Sequence, residues 1–449
     1  MDEVLTDLIS WLRIPSISAL PDFAPQVRSA AEFTARLFEK AGLENVYLLE
    51  GNGHPLVAAD WLHAPGKPTI LCYGHYDVQP ADPIDQWRTD PFEPSIAGDN
   101  LYARGAADDK GLALILIKAA QHYLKQGLPL PVNLRFLFEG EEESGGDHIS
   151  EYVRNSPQEL RSDAALICDT EMFAPGLPTI CVGLRGILYA EIRVRSGAVD
   201  LHSGVYGGTV HNAVAAAARI ASSLKDSQDR ITVAGFYDGI IGPTSEELAS
   251  WSALPFNSEA YRINEAQTYT LQGEPGFNLF ERTWSRPTLE IHGIRGGFTG
   301  EGAKTVIPCE AVVKLSCRLV PGQDPKRIGK ILSEAVKAAA PDGVNTELHI
   351  LHSAPASLVD PKNPFVAEAA TAMTETFGRE TVFTRSGGSI PIVGLFQEHL
   401  GIPSVLTGFG LPDDNLHAPN EKVFLPNVYK GIEAIARYWE RLGDSSTKQ

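Results

Sequence analysis

In the first third of the chain, short apolar runs of strand length alternate with helix-length segments, and few folds accept that order. Residues 26–41 have helical periodicity and are stopped by Gly42. Residues 69–73 read as a buried strand. Residues 110–126 form a very apolar helix closed by Gly127, and residues 133–138 and 163–168 are again short apolar strands. Strands separated by long helices predict a mostly parallel sheet with helices on both faces.

The middle of the chain has a different rhythm. Residues 188–195 alternate like a half-exposed strand, and a helix is predicted at 212–224. Strands near 288–292 and 311–319, a helix at 325–339 and a strand at 345–351 follow. This pattern predicts an α+β layer with helices on one face of an antiparallel sheet. The first rhythm then returns, with a helix at 363–377 and an apolar strand at 402–406. At 449 residues the chain exceeds one ordinary core. The expected fold is an α/β di-metal hydrolase domain with a mostly parallel sheet, made from residues 1–186 and 355–449. It is interrupted by an inserted α+β lid and dimerisation domain at 187–354.

A net charge of −18 argues against a nucleic-acid backbone as partner, which would require clustered Lys and Arg. Residues 1–14 are acidic and amphipathic, without the basic start and small-residue cleavage site of a secretory signal. The most apolar run, 112–120, is far too short to span a bilayer and contains Lys118. Cys72, Cys168, Cys181, Cys309 and Cys317 are odd in number and lack C-x-x-C spacing, so the expectation is five buried thiols in a reducing, cytoplasmic setting.

Acid and imidazole groups gather in clusters that follow these strands. Tyr73-Gly74-His75-Tyr76-Asp77-Val78 comes directly after the first buried run. In extended backbone His75 and Asp77 point to the same side, and a strand end of an α/β sheet is where ligands bind. Alone, the pattern reads as a surface turn. Asp108-Asp109-Lys110-Gly111 opens the apolar helix, where an Asp is commonly only a cap. Glu139-Gly140-Glu141-Glu142-Glu143-Ser144 holds four carboxylates that repel one another unless a cation sits among them. Its ordinary reading is a solvated acidic loop at a helix start. Asp169 and the run Asp413 to Glu421, with His417, complete the set. Two His and several carboxylates at strand ends suit a pair of borderline metals such as zinc or manganese. Residues 297–305 imitate a phosphate loop, but Ala303 stands where the pattern needs Gly, and Val306-Ile307-Pro308 cannot open the helix that should follow.

Together these clusters resemble the metallopeptidase M20 family, within it the branch of cytosolic non-specific dipeptidases and carnosine dipeptidases. The likeness extends through Asp200-Leu201-His202-Ser203-Gly204, Gly302-Ala303-Lys304-Thr305, Arg318-Leu319-Val320-Pro321 and Gly387-Gly388-Ser389-Ile390-Pro391. The resemblance implies that Asp108 bridges two metals, one also held by His75 and Asp169, the other by Glu143 and His417. It implies that Asp77 supports His75, that Glu142 is the general base, and that the Asp108–Asp109 peptide is cis. It further implies a homodimer in which His202 reaches the partner's active site, with Arg318 receiving the substrate's terminal carboxylate and Thr305 and Ser389 making further substrate contacts. Glu141 departs from the pattern, since close relatives often carry Met there.

The implied activity is hydrolysis of dipeptides with a free C-terminal carboxylate, by a hydroxide shared between the metals with Glu142 as base. An amino-acid deacylase or desuccinylase would share the metals and base and differ in the lid. A non-catalytic scaffold would have lost a ligand or the base, and all are present in the sequence.

Overall fold

The run Thr69–His75 is a strand buried from Ile70 onward. Asn133–Glu139 and Ala164–Ile167 lie parallel on its two sides, and Ser404–Thr407 continues the parallel set. Leu56–Trp61 and then Glu44–Leu49 add antiparallel strands at one side, and Thr179–Leu184 adds one at the other. The parallel centre is the expected one. Glu44–Leu49 escaped prediction because half of its positions are exposed and none is buried.

Parallel strands with apolar side chains on both faces need cover on both. Helix Lys110–Leu124 is buried nearly all round and packs against strand Thr69–His75 and the helices Ala24–Ala41 and Leu425–Ser445. A helix apolar on every side is a core element. It ends two residues before the expected limit, and the turn closes through Gly127 at φ 67°. Ala24–Ala41 stops where expected, at Gly42 with φ 91°, a left-handed cap that glycine accepts without strain.

This computed structural model describes residues 2–445, which divide into two units. The first takes in the chain up to Val182, Val359–Thr384 and the chain from Leu395. The second is Gly183–Leu358 with Arg385–Gly394. Beside the expected span of 187–354, this unit begins at Gly183, runs to Leu358 and takes in Arg385–Gly394 as well. Arg385 makes a two-pronged ion pair with Glu247 (2.8 and 2.9 Å) and lies over the Trp251 ring, while the Gly387 carbonyl accepts from Arg185.

The second unit is built on an antiparallel sheet in the order Thr288–Gly296, Glu310–Leu319, Gly186–Arg195, Asn345–Ala354. Gly186–Arg195 alternates strictly between buried and more exposed positions. Its buried residues Leu188, Ala190, Ile192 and Val194 share a separate core with helices Ala213–Ser223 and Pro325–Ala339. Among the described residues no helix is long and apolar enough to cross a membrane. All five cysteines are free. Cys309 is only half-buried, contrary to expectation, because it lies at the start of a strand rather than inside the core.

Candidate metal centre

Register brings the clusters together. His75 pairs with Glu139 and Tyr73 with Ile167, and Leu406 also pairs with Ile167, so the parallel strands finish nearly level. The loops that follow leave the same edge, the carboxyl edge where α/β sheets bind ligands.

Two groups of potential metal ligands result. His75, Asp108 and Asp169 offer ligand atoms that lie within 4.8 Å of one another, and Asp108, Glu143 and His417 do the same. Asp108 belongs to both. Its Oδ1 is 3.1 Å from Nε2 of His75 and its Oδ2 is 2.9 Å from Nε2 of His417. Each oxygen thus faces a different imidazole, the disposition a bridging carboxylate requires. The Asp108–Asp109 peptide is cis.

A supporting layer fixes these side chains. Asp77 is fully buried, and its Oδ1 stands 3.3 Å from Nδ1 of His75. Its Oδ2 accepts from Ser18 Oγ (2.6 Å) and from the backbone N–H of Glu143 (3.1 Å), and its carbonyl oxygen lies 3.2 Å from Nδ1 of His75, so one residue orients a candidate ligand in each group. Gln79 donates to Glu143 Oε2 at 2.7 Å, and the other Glu143 oxygen is buried with no hydrogen-bond partner.

The electrostatics suit a cation. Burial, with nearby acidic groups including Glu143 and Asp108, pushes Glu142 up to about 7 and opposes His75. Burial and the charges of Asp109 and Asp108 raise Asp169 well above the carboxylate range. Asp109 rises to about 8, chiefly by burial. His75 is raised well above the ordinary imidazole value: burial opposes its charge, but Asp108 and Asp77 prevail. Asp108 is lowered because its bonds to His417 and His75 outweigh its burial. Metal-free, this cluster must retain protons; divalent cations would replace them. Two imidazoles, three carboxylates and an unpartnered carboxylate oxygen are a fitting donor set for zinc or manganese.

Three residues matter more, or differently, than the sequence suggested. Glu141 lies away from the centre. Its Oε1 accepts from the backbone of His54 (2.9 Å) and its Oε2 from that of His148 (3.2 Å), so it braces the Gly51–Pro55 loop and the helix Asp147–Asn155. Glu421 is fully buried and organises the loop before Asp108. It accepts from the N–H groups of Gly105, Ala107 and Asp108 (2.9–3.0 Å) and pairs with Arg104 at 2.7 Å. Asp109 accepts from the His75 backbone at 3.1 Å. Glu421 lies over 300 positions from the loop it orders, and no local pattern could announce that contact.

The remaining predicted residues belong to the second unit. His202 pairs with Val306 in a short antiparallel bridge and is exposed. Its Nδ1 accepts from Gly204 N–H at 3.0 Å, which directs Nε2 outward without a protein partner among the described residues. Thr305, beside it, is exposed, and its carbonyl accepts from Ser203. Arg318 donates from Nη1 to Ser389 Oγ at 3.0 Å.

The description of peptidase family M20/M25/M40 matches residues 71–441. The chain belongs to this peptidase family. Within the M20 group it is 32% identical to Cys-Gly metallodipeptidase dug1 of Schizosaccharomyces pombe, over 99% of this chain and 96% of that one. It is 31% identical to human Beta-Ala-His dipeptidase, over 98% and 90%. Its fold superposes on the M20 metallo-carboxypeptidase Sso-CP2 of Sulfolobus solfataricus with a TM-score of 0.90, at 32% identity over 99% and 100% of the two chains.

Proposed function

We propose that this M20 peptidase is a metal-dependent dipeptidase acting on dipeptides with a free C-terminal carboxylate. The observation that carries the reading is the pair of ligand groups sharing Asp108, with one oxygen turned to each imidazole. The two similar dipeptidases, named for Cys-Gly and for Beta-Ala-His, support the substrate class.

His75, Asp108 and Asp169 would hold one divalent ion, and Asp108, Glu143 and His417 the other; bound zinc or manganese supplies Lewis acidity and lowers the pKa of water. Glu142 takes the proton of the attacking water and returns it to the leaving amine. Its raised pKa, about 7 in the metal-free protein, suits a group that must both accept and release a proton. Asp77 holds the His75 ring in place. Arg318, bonded to Ser389, receives the terminal carboxylate, and Ser389 and Thr305 make further substrate contacts. In the proposed homodimer, His202 of one subunit donates to the carbonyl oxygen of substrate in its partner, where negative charge develops. The exposed His202 with an outward Nε2 supports that role. Five free cysteines suit the reducing, cytoplasmic setting that completes the reading.

The test is a panel of dipeptides, including Cys-Gly and β-Ala-His, with N-acetyl and N-succinyl amino acids, each assayed with zinc and with manganese. Dipeptides should be hydrolysed with the highest kcat/KM. Turnover of the acylated amino acids alone would replace the reading with a deacylase.

A further inference from the structure

A buried guanidinium needs an anion, and this chain supplies one in most cases. Arg104 has Glu421 at 2.7 Å, Arg286 has Glu274 at 2.8 Å, and Arg385 has Glu247 at 2.7 Å. Two arginines of the second unit break the pattern. Arg185 and Arg318 are both partly buried, and neither has a carboxylate within ion-pair distance among the described residues. Glu290, whose charge Arg185 feels, makes its ion pair with Lys225 at 3.6 Å.

The two are neighbours in the fold. Ile187 pairs with Arg318 and Gly186 with Leu319, which brings the chain at Arg185 beside the end of Arg318's strand. Ser389 joins them, since its Oγ donates to the Arg185 carbonyl and accepts from Arg318 Nη1. Arg185 Nε donates to the Gly387 carbonyl at 3.0 Å, and its backbone N–H to that of Gly388 at 3.1 Å. A Cβ on Gly387 would stand 2.8 Å from Arg185 Nη2, so a glycine there leaves the guanidinium its room. Nη1 of Arg185 is sealed from solvent with no acceptor. Burial and the charge of Arg318 together hold Arg185 down at about 10, the mark of two like charges kept close. An orphaned donor and a repelling pair of cations both ask for an anion that the protein does not provide.

We propose that Arg185 and Arg318 together form the seat of the substrate's terminal carboxylate, Arg185 supplying a second guanidinium. This rests on the dipeptidase reading, which gave Arg318 that role alone. One carboxylate shared by two guanidiniums is fixed in position as well as neutralised. Substrates whose C-terminus is blocked as an amide would leave both cations unpaired and be rejected.

The experiment compares kcat/KM for a dipeptide and for its C-terminal amide in the wild type and in R185Q, R185K and R318Q. The wild type should prefer the free carboxylate. R185Q should lose on the order of ten- to a hundred-fold of that preference, mostly through KM for the dipeptide, with the amide little changed. R185K keeps the charge without the fork and should fall between. If R185Q slows dipeptide and amide equally while R318Q abolishes the preference, Arg185 only braces the Gly387–Ser389 loop; the proposal fails and the reading of Arg318 stands. If R318Q also keeps the full preference, the carboxylate reading of Arg318 fails and the proposal with it. Should R185Q not fold, R185K decides, and an undiminished preference in that variant overturns the proposal.

Discussion

Glu142 and Glu143 are adjacent, chemically identical and assigned different work. Glu143 points an oxygen to within 3.3 Å of His417 and leaves another buried without a partner, as a ligand awaiting a cation would. Glu142 belongs to neither ligand group, and burial among acidic neighbours pushes it up to about 7. Glu142→Gln should therefore retain both metals and lose roughly a hundred- to ten-thousand-fold in kcat, the usual worth of a general base. Glu143→Gln should lose metal as well as rate. Elemental analysis of the two purified variants separates the roles, and a metal-depleted Glu142→Gln protein would reverse the assignment. At this scale the proposed ligands were legible because His75, Glu143, Asp169 and His417 come at or after the ends of strands whose apolar runs are visible, and Asp108 opens the apolar helix Lys110–Leu124. Of the supports only Asp77 was, through the family resemblance. Glu421 stood in a noted cluster without a role, because its partners Gly105, Ala107 and Asp108 reach it only through tertiary folding. Glu141 looked like part of the acidic site until its backbone partners His54 and His148 were seen.

At the scale of elements, level strand ends concentrate acid where water is scarce. In the metal-free protein a carboxyl whose folded pKa lies above its unfolded value binds more protons folded than unfolded. Its contribution to stability is complete below the ordinary carboxylate range and is lost as pH rises through the folded pKa. Glu142, at about 7, and Asp109, at about 8, both have this sign. His75 is raised too, so it adds a loss of the same sign above its unfolded value of about 6.5. Lys110, lowered to about 7 by burial, acts in the opposite direction only above that pH. Between about pH 5 and 7 the gap in Tm between metal-loaded and chelated protein should therefore widen, since bound cations replace the protons. Calorimetry with and without a chelator measures it. A gap that stays constant or narrows would mean that these carboxyls ionise without help from a cation. The parallel strands and core helix that create this field were visible in the sequence as uninterrupted apolar runs. The antiparallel edge Glu44–Leu49 was not, since a strand with no buried position has no periodicity that burial must enforce, and Thr179–Leu184 was missed although it is buried throughout.

For the whole molecule, the open question is whether one chain contains a complete site. His202 is exposed, and its imidazole is oriented by Gly204 N–H so that Nε2 faces outward. If that ring serves the partner subunit, homodimers of His202→Ala and of Glu142→Ala should each be nearly inactive. Mixing them after dissociation and reassociation makes half the dimers mixed by random pairing. In a mixed dimer, the His202→Ala subunit keeps its own Glu142 and receives an intact His202 from its partner, so one site is whole. The other site lacks both groups. Activity should then recover to roughly a quarter of the wild-type level under two-fold pairing. If His202 serves its own subunit, each site of the mixed dimer lacks one group and nothing is regained. Mass spectrometry must establish that mixed dimers formed. An inactive mixture that contains them would end the shared-site mechanism while leaving the ligand groups around Asp108 untouched, because those are assembled within a single unit of one chain.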